Sequence, residues 1–291
     1  MDAAQDLTVA DRIRDRFESL TRAERQLANA MLENYPVSGM GSITAVAEAS
    51  DVSTPTAVRM AKKLGFAGFP ELQAALRAEL EATISSPIAK HDRWAAHAPD
   101  THILNRFAEA VMDNMRQTLQ RIDADVFNAV AALLSDRERA VYVAGGRITR
   151  SLADYLFTHM QVIRNGVTLI ASNASTWPHY VLNMRAGDVL VAFDIRRYEH
   201  DILRLADMAR AKGAVLVLFT DQWGSPAAKH AEYSFRSRIE APSAWDSSVV
   251  TLFIVEALIA AVETATWQET RERMKTLEEM FDQTKMFRKF T

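Results

Sequence analysis

Cysteine is absent from all 291 residues. That single absence removes disulfide frameworks, thiolate zinc sites, cysteine nucleophiles and thiol redox chemistry. Also missing is any apolar stretch that approaches a membrane span without interruption by charge. The N-terminus, Met1-Asp-Ala-Ala-Gln-Asp6, has neither the basic region nor the apolar core of a leader, so the expected setting is the cytoplasm, with no membrane partner. No excess of positive charge stands out: 34 Lys and Arg against 37 Asp and Glu leave a formal net charge of -3, which argues against indiscriminate coating of nucleic acid. The histidines at 91, 97, 102, 159, 179, 200 and 230 form no i,i+4 pair with a carboxylate partner, so no metal site is expected. No other cofactor is implied.

What is present is a globular balance of 48% apolar and 24% charged residues, in a chain long enough for two domains. The most informative stretch runs from Gly41 to Gly65 and reads as two short helices joined by a tight turn. Ile43, Val46 and Ala47 share one face of the first, behind Ser42, whose hydroxyl suits an N-cap. Asp51-Val-Ser53 turns the chain. The second helix starts after Ser53, carries Pro55 in its first turn and stops at Gly65. With Val58, Ala61 and Leu64 taken as its core face, Thr54, Thr56, Arg59, Lys62 and Lys63 fall on or beside the outward face. In a helix-turn-helix, Thr54, Thr56 and Arg59 are then the candidate base readers, with Ser53, Lys62 and Lys63 beside the phosphates. An ordinary solvated helical hairpin has the same pattern. The three cations are the only charges between Asp51 and Glu71, a small positive face that suits specific binding by a dimer.

The pattern is helical from Leu7 to Leu80, with a capping box at Thr21-Arg-Ala-Glu24, aromatic anchors at Phe66 and Phe69, and a helix from Glu71 to Ala82. The expected division is a helical domain over 1–84, a linker over 85–100 and a second domain over 101–291. In the last, Ile103 to Leu134 reads as helix broken near Asp123. Short apolar runs then alternate with helices: Ala140–Ala144, Val167–Ile170, Asp188–Phe193, Ala214–Phe219 and Ala231–Phe235. Such runs imply a five-stranded parallel sheet between helical layers. A closing helix, Ser247 to Thr266, is apolar nearly all round, which hints at self-association.

Ligands of open parallel sheets sit outside the carboxyl ends of the strands. The loops there are Gly145-Gly-Arg-Ile-Thr149, Ala171-Ser-Asn-Ala-Ser175, Asp194-Ile-Arg-Arg-Tyr198 and Thr220-Asp-Gln-Trp-Gly-Ser-Pro226. Helix-start amides and guanidinium groups favour an anion, so the candidate binding residues are Gly145, Gly146, Arg147, Thr149, Ser172, Asn173, Ser175, Asp194, Arg196, Arg197, Tyr198 and Ser247. Thr149 and Ser175 read equally as helix caps, and Arg196 and Arg197 either pair with Glu199 and Asp201 or reach the crevice. Gly145-Gly146 is no dinucleotide fingerprint, since the third glycine is missing.

Taken together, Leu20-Thr-Arg-Ala-Glu24, Asp51-Val-Ser-Thr-Pro-Thr-Ala-Val-Arg59, Lys63-Leu-Gly-Phe-Ala-Gly-Phe-Pro-Glu-Leu72, Arg185-Ala-Gly-Asp-Val-Leu190 and Thr220–Pro226 resemble the RpiR/MurR-type family of bacterial transcriptional regulators. The resemblance covers about 20–262 and implies an N-terminal helix-turn-helix followed by a three-layer α/β/α SIS (sugar isomerase) domain. It further implies binding to double-stranded operator DNA as a dimer or tetramer, tuned by an effector that is commonly a phosphosugar. The family's Ser-rich loop after the third strand is replaced here by Phe193-Asp-Ile-Arg-Arg-Tyr-Glu199, which leaves a phosphosugar and another anion such as a carboxylate both open. The rival reading is an aldose–ketose isomerase, for which Glu199, His200 and His179 are the nearby bases.

Overall fold

The computed structural model describes residues 7–96 and 102–287, apart from the side chains at 93, 95 and 96. The expected leaderless start at 1–6 and the linker positions 97–100, with His97, lie outside the described residues. The chain divides into two compact units, Met1–Arg93 and Trp94–Thr291.

Local chemistry explains the helix starts of the first unit. α1 (Val9–Arg16) opens on a Thr8–Asp11 capping box and α2 (Arg22–Glu33) on the Thr21–Glu24 box read from the sequence. At α3 (Ile43–Ala49) the Ser42 hydroxyl accepts the Ala45 N–H at 3.1 Å. The turn to α4 (Thr54–Lys63) places Asp51 at φ 51°, a left-handed conformation that aspartate tolerates. Gly65, at φ 90°, ends the helix as expected. α5 (Phe69–Ile84) completes a core in which Leu27, Met31, Val46, Met60, Leu64, Phe66, Phe69 and Leu76 are buried together.

Two corrections apply here. The buried face of α4 is Ala57, Met60, Ala61 and Leu64, at i, i+3, i+4 and i+7, whereas Val58 is only half-buried. Thr56 joins that inward face at 5% exposure, so it does not stand among the outward readers. A helix, α6 (Pro87–Ala96), also occupies most of the stretch expected as linker.

The second unit begins with α7 (Ile103–Leu119) and α8 (Ala124–Ser135), the break falling at Asp123, which caps α8. Then follow β1 (Val141–Gly145), α9 (Arg150–Ile163), β2 (Val167–Leu169), α10 (Trp177–Asn183), β3 (Val189–Phe193), α11 (His200–Ala211), β4 (Val215–Asp221), β5 (Tyr233–Ser237) and α12 (Val249–Ala265). All strand pairs are parallel, in the order β2-β1-β3-β4-β5. On one face Val143, Val191, Phe193, Phe219 and Phe235 pack against α8, α9 and α12; on the other, Leu190, Ala192, Leu216 and Leu218 pack against α10 and α11. Burial on both faces accounts for the continuous apolar runs. Because the chain leaves β1 toward β2 but leaves β3 toward β4, the loops after these neighbouring strands diverge, and the crevice between them is the topological switch point.

A second helix absent from the sequence reading, besides α6, is α13 (Trp267–Thr284), bent 100° from α12. Among the described residues no single helix is long and apolar enough to cross a membrane.

Candidate functional site

The first unit presents α4 with Ser53, Arg59 and Lys62 exposed and Thr54 half-buried. Thr56, though inward, touches this surface through its hydroxyl: Oγ1 lies 2.9 Å from Ser53 Oγ and accepts an Arg59 Nη2–H at 3.0 Å. The guanidinium is thereby held in one orientation. Lys63 is engaged elsewhere. Its Nζ lies 2.7 Å from the carboxylate of buried Glu24 and also donates to the Ser19 carbonyl. Burial pushes the Glu24 carboxyl up, but its hydrogen bonds with Lys63 and Thr21 outweigh that and hold it below the usual carboxylate range.

In the second unit the expected ring of binding residues separates into two kinds. Several are consumed by the fold. Gly145 is required by backbone, since a Cβ there would meet the Thr149 carbonyl oxygen at 2.6 Å. Thr149 is not a cap by side chain; its hydroxyl donates to the Phe193 carbonyl and accepts the Gly146 N–H, tying the β1 loop to the end of β3. Asn173 and Ser175 bond each other, with Asn173 Oδ1 accepting both the N–H and the hydroxyl of Ser175. Ser247 is buried just before α12, where its hydroxyl accepts the Val249 N–H.

The two adjacent arginines meet opposite fates. Arg196 pairs with neither Glu199 nor Asp201; its side chain, 4% exposed, grips Asp246 through Nε and Nη2 and lies over the Trp223 ring, 4.8 Å from the centroid. Arg197 is exposed, and among the described residues its side chain has no hydrogen-bond or ion-pair partner; the same holds for Arg147. Ser172 is exposed as well.

Beneath this rim lies a carboxylate layer that sequence reasoning missed in part. Asp221, fully buried at the end of β4, accepts N–H groups from Arg196, Trp223 and Gly224 and the Tyr198 hydroxyl. Burial pushes its carboxyl up, and burial beside Asp221 pushes the Tyr198 phenol up too. Asp194 accepts the Glu199 N–H and the Ser225 hydroxyl, and burial raises it to about 6. Asp194 and Tyr198 therefore brace the loop from below. No local signal marked Asp221, Trp223 or Asp246, because each acts on a residue distant in the chain. Of the bases named for isomerisation, His179 and His200 are exposed, and Glu199 Oε1 accepts the Arg147 N–H at 2.7 Å.

Comparison with known proteins bears on both units. Residues 7–83 match the helix-turn-helix domain of the rpiR family, and residues 133–261 match the SIS domain. The chain is 25% identical to the HTH-type transcriptional regulator HexR of Pseudomonas aeruginosa, over 75% of either chain. It is 26% identical to the HTH-type transcriptional regulator RpiR of Escherichia coli, over 77% of this chain and 74% of that one. Among solved structures, the Vibrio vulnificus NanR protein complexed with ManNAc-6P aligns over 94% of this chain and 98% of its own, with a TM-score of 0.54 and 18% identity. The sugar isomerase domain of an RpiR transcription factor from Sphaerobacter thermophilus aligns over 60% of this chain and 97% of its own, at 0.55 and 20%. At these identities the two structures speak to the fold alone. A helix-turn-helix of one match followed by the SIS domain of the other, in relatives that are themselves regulators, makes this chain a member of the RpiR family of transcriptional regulators.

Proposed function

We propose that the first unit holds double-stranded operator DNA through α4 while a small anion, bound at the β1/β3 crevice of the second unit, alters that grip. One observation carries the DNA half: the buried face of α4 is complete without its basic residues, yet Arg59 is fastened in a set orientation by Thr56. A side chain that adds nothing to the core and is still pre-aimed suits base-edge readout, where lost rotamer freedom otherwise costs affinity. Thr54 reads beside it, Ser53 and Lys62 meet phosphates, and Thr56 acts by orienting Arg59. Lys63, shared with Glu24, contributes less.

For the effector, the reading rests on Arg147 and Arg197, cations on the two loops of the crevice whose side chains have no partner among the described residues. The sugar phosphate in the NanR complex supports a phosphosugar as the class. Coupling requires that this ligand bind one arrangement of a homo-oligomer, dimer or tetramer, more tightly than another. Val249 and Phe253, exposed one turn apart on α12, support self-association there. We place the protein in the cytoplasm and assign it no catalysis.

Fluorescence anisotropy on DNA from upstream of its own gene tests both halves. Arg59→Ala is expected to weaken specific binding by about 1–3 kcal/mol. Arg197→Ala is expected to spare DNA binding and blunt the response to sugar phosphates. An Arg59 variant that binds as tightly as the parent removes that residue from the readers.

A further inference from the structure

The crevice at the switch point already holds an anion belonging to the protein. Glu199, the residue before α11, sends its carboxylate across to the opposite loop, where Oε1 accepts the Arg147 N–H at 2.7 Å. The same carboxylate rests on Gly146: a Cβ there would lie 2.7 Å from Glu199 Cδ and closer still to Oε1. Its backbone is anchored separately, the Glu199 N–H donating to Asp194 Oδ1 at 3.1 Å, so the side chain can leave without releasing the start of α11.

We propose that Glu199 is a built-in competitor for the effector: its carboxylate occupies the oxyanion position of the crevice, and a phosphorylated ligand binds by displacing it. This inference rests on the reading of the β1/β3 crevice as the anion site and adds what governs entry to it.

Three features support it. A carboxylate placed to stabilise this loop would be expected to pair with a neighbouring cation, and Arg197 stands two residues away. Yet among the described residues Glu199 forms no ion pair, and Arg147 and Arg197 have no partner either. The carboxylate is instead seated on one backbone amide, a hold weak enough for a stronger acceptor to break. Gly146 is the second feature. The missing Cβ lets an acceptor oxygen lie directly on the backbone, the same allowance that a phosphate oxygen needs at a helix start. The third is charge. With Glu199 in place the two arginines and the carboxylate sum to a single positive charge; once it swings aside, the ligand meets two. A phosphate dianion gains most from that change, whereas an unphosphorylated sugar has nothing with which to displace a carboxylate. Glu199 thereby becomes a specificity-determining residue that selects phosphorylated over neutral ligands.

The test is inorganic phosphate binding to the full-length protein by titration calorimetry at fixed ionic strength, with folding checked by tryptophan fluorescence. Glu199→Gln keeps shape while removing charge, and Glu199→Ala empties the position. Both are expected to bind phosphate more tightly than the parent, by about tenfold for Glu199→Ala. Adding Arg197→Ala to the latter is expected to cancel the gain. If both Glu199 variants bind phosphate no better than the parent while Arg197→Ala still weakens binding, the competitor is refuted and the anion site stands. If phosphate binds none of them, or binds all of them with Arg197→Ala having no effect, the anion site itself falls and the competitor with it.

Discussion

Removing Asp246 should damage the fold, whereas removing Arg197 should not, and the contrast measures the division of labour between the paired arginines. The Arg196 side chain is 4% exposed and its guanidinium is held by both oxygens of Asp246, which is 22% exposed. Asp246→Ala leaves a buried cation without its counter-ion. Breaking such a pair costs about 3–5 kcal/mol, and because the vacated position opens toward solvent we expect the lower end, roughly 3 kcal/mol. For a unit of this size that is a fall in Tm of about 6–12 °C. Arg196→Met in the Asp246→Ala background should recover most of the loss, since an apolar chain can still cover the Trp223 ring and no charge is then left unpaired. Four of the five tryptophans, Trp177, Trp223, Trp245 and Trp267, lie within the second unit and Trp94 sits at its boundary, so tryptophan fluorescence in a urea titration reports chiefly that unit. Arg197→Ala should stay within about 0.5 kcal/mol of the parent. An Asp246→Ala protein within about 1 kcal/mol of the parent would refute the reasoning, because Arg196 would then owe little to its partner and could turn toward the crevice.

Two further outcomes follow from the same contacts. Asp194 is raised to about 6 by burial, so its contribution to stability is complete below the ordinary aspartate range and is lost as pH climbs through 6. The shift corresponds to roughly 3 kcal/mol, and urea titrations of the parent and Asp194→Asn from pH 4 to 8 should diverge by that order; parallel curves would exclude it. On the DNA side, Lys62→Ala should reduce the salt dependence of operator binding by about one counterion, and Lys63→Ala by less, because Glu24 already holds that ammonium. Equal slopes for the two variants would show that Lys63 lets go of Glu24 on the duplex.

Features decided within a few residues were legible in the sequence. The Thr21–Glu24 capping box, the Ser42 cap, Pro55 in the first turn of α4 and the Gly65 stop each depend on atoms one turn away, and each occurs where the pattern put it. The parallel sheet was legible because strands covered on both faces leave unbroken runs such as Val189–Phe193. The rotation of α4 was not. In a ten-residue helix holding Ala57, Val58, Met60 and Ala61, two apolar faces one residue apart are nearly equivalent, and contacts with α2 and α5 decide between them. Thr56 falls outward once Val58, Ala61 and Leu64 are taken as the core face, but with Ala57 and Met60 inward it turns in as well, and a hydroxyl satisfied locally by Ser53 and Arg59 can be buried at little cost. α13 did leave a trace, Met274, Leu277 and Phe281 at helical spacing within a strongly charged stretch.

The site resisted prediction for a different reason. Sequence identifies which residues are able to bind an anion; it cannot tell which of them the fold has already engaged. Arg196 and Arg197 are chemically identical neighbours, and what separates them is Asp246, fifty positions along the chain, together with the Trp223 ring. Thr149, Asp194 and Tyr198 look like rim chemistry in the sequence, yet their polar atoms are spent on Phe193, Ser225, Glu199 and Asp221. A binding site is defined by the remainder, the groups whose charge or hydrogen-bonding capacity the protein does not satisfy for itself. By that criterion the site proposed at the crevice reduces to Arg147 and Arg197, whose side chains have no partner among the described residues, around a seat kept by Glu199, which the sequence offers both as a base and as an ion-pair partner for the arginines. Its carboxylate lies against Gly146 and the Arg147 amide, and on the proposal made above that seat makes a candidate base the rival of a phosphorylated ligand.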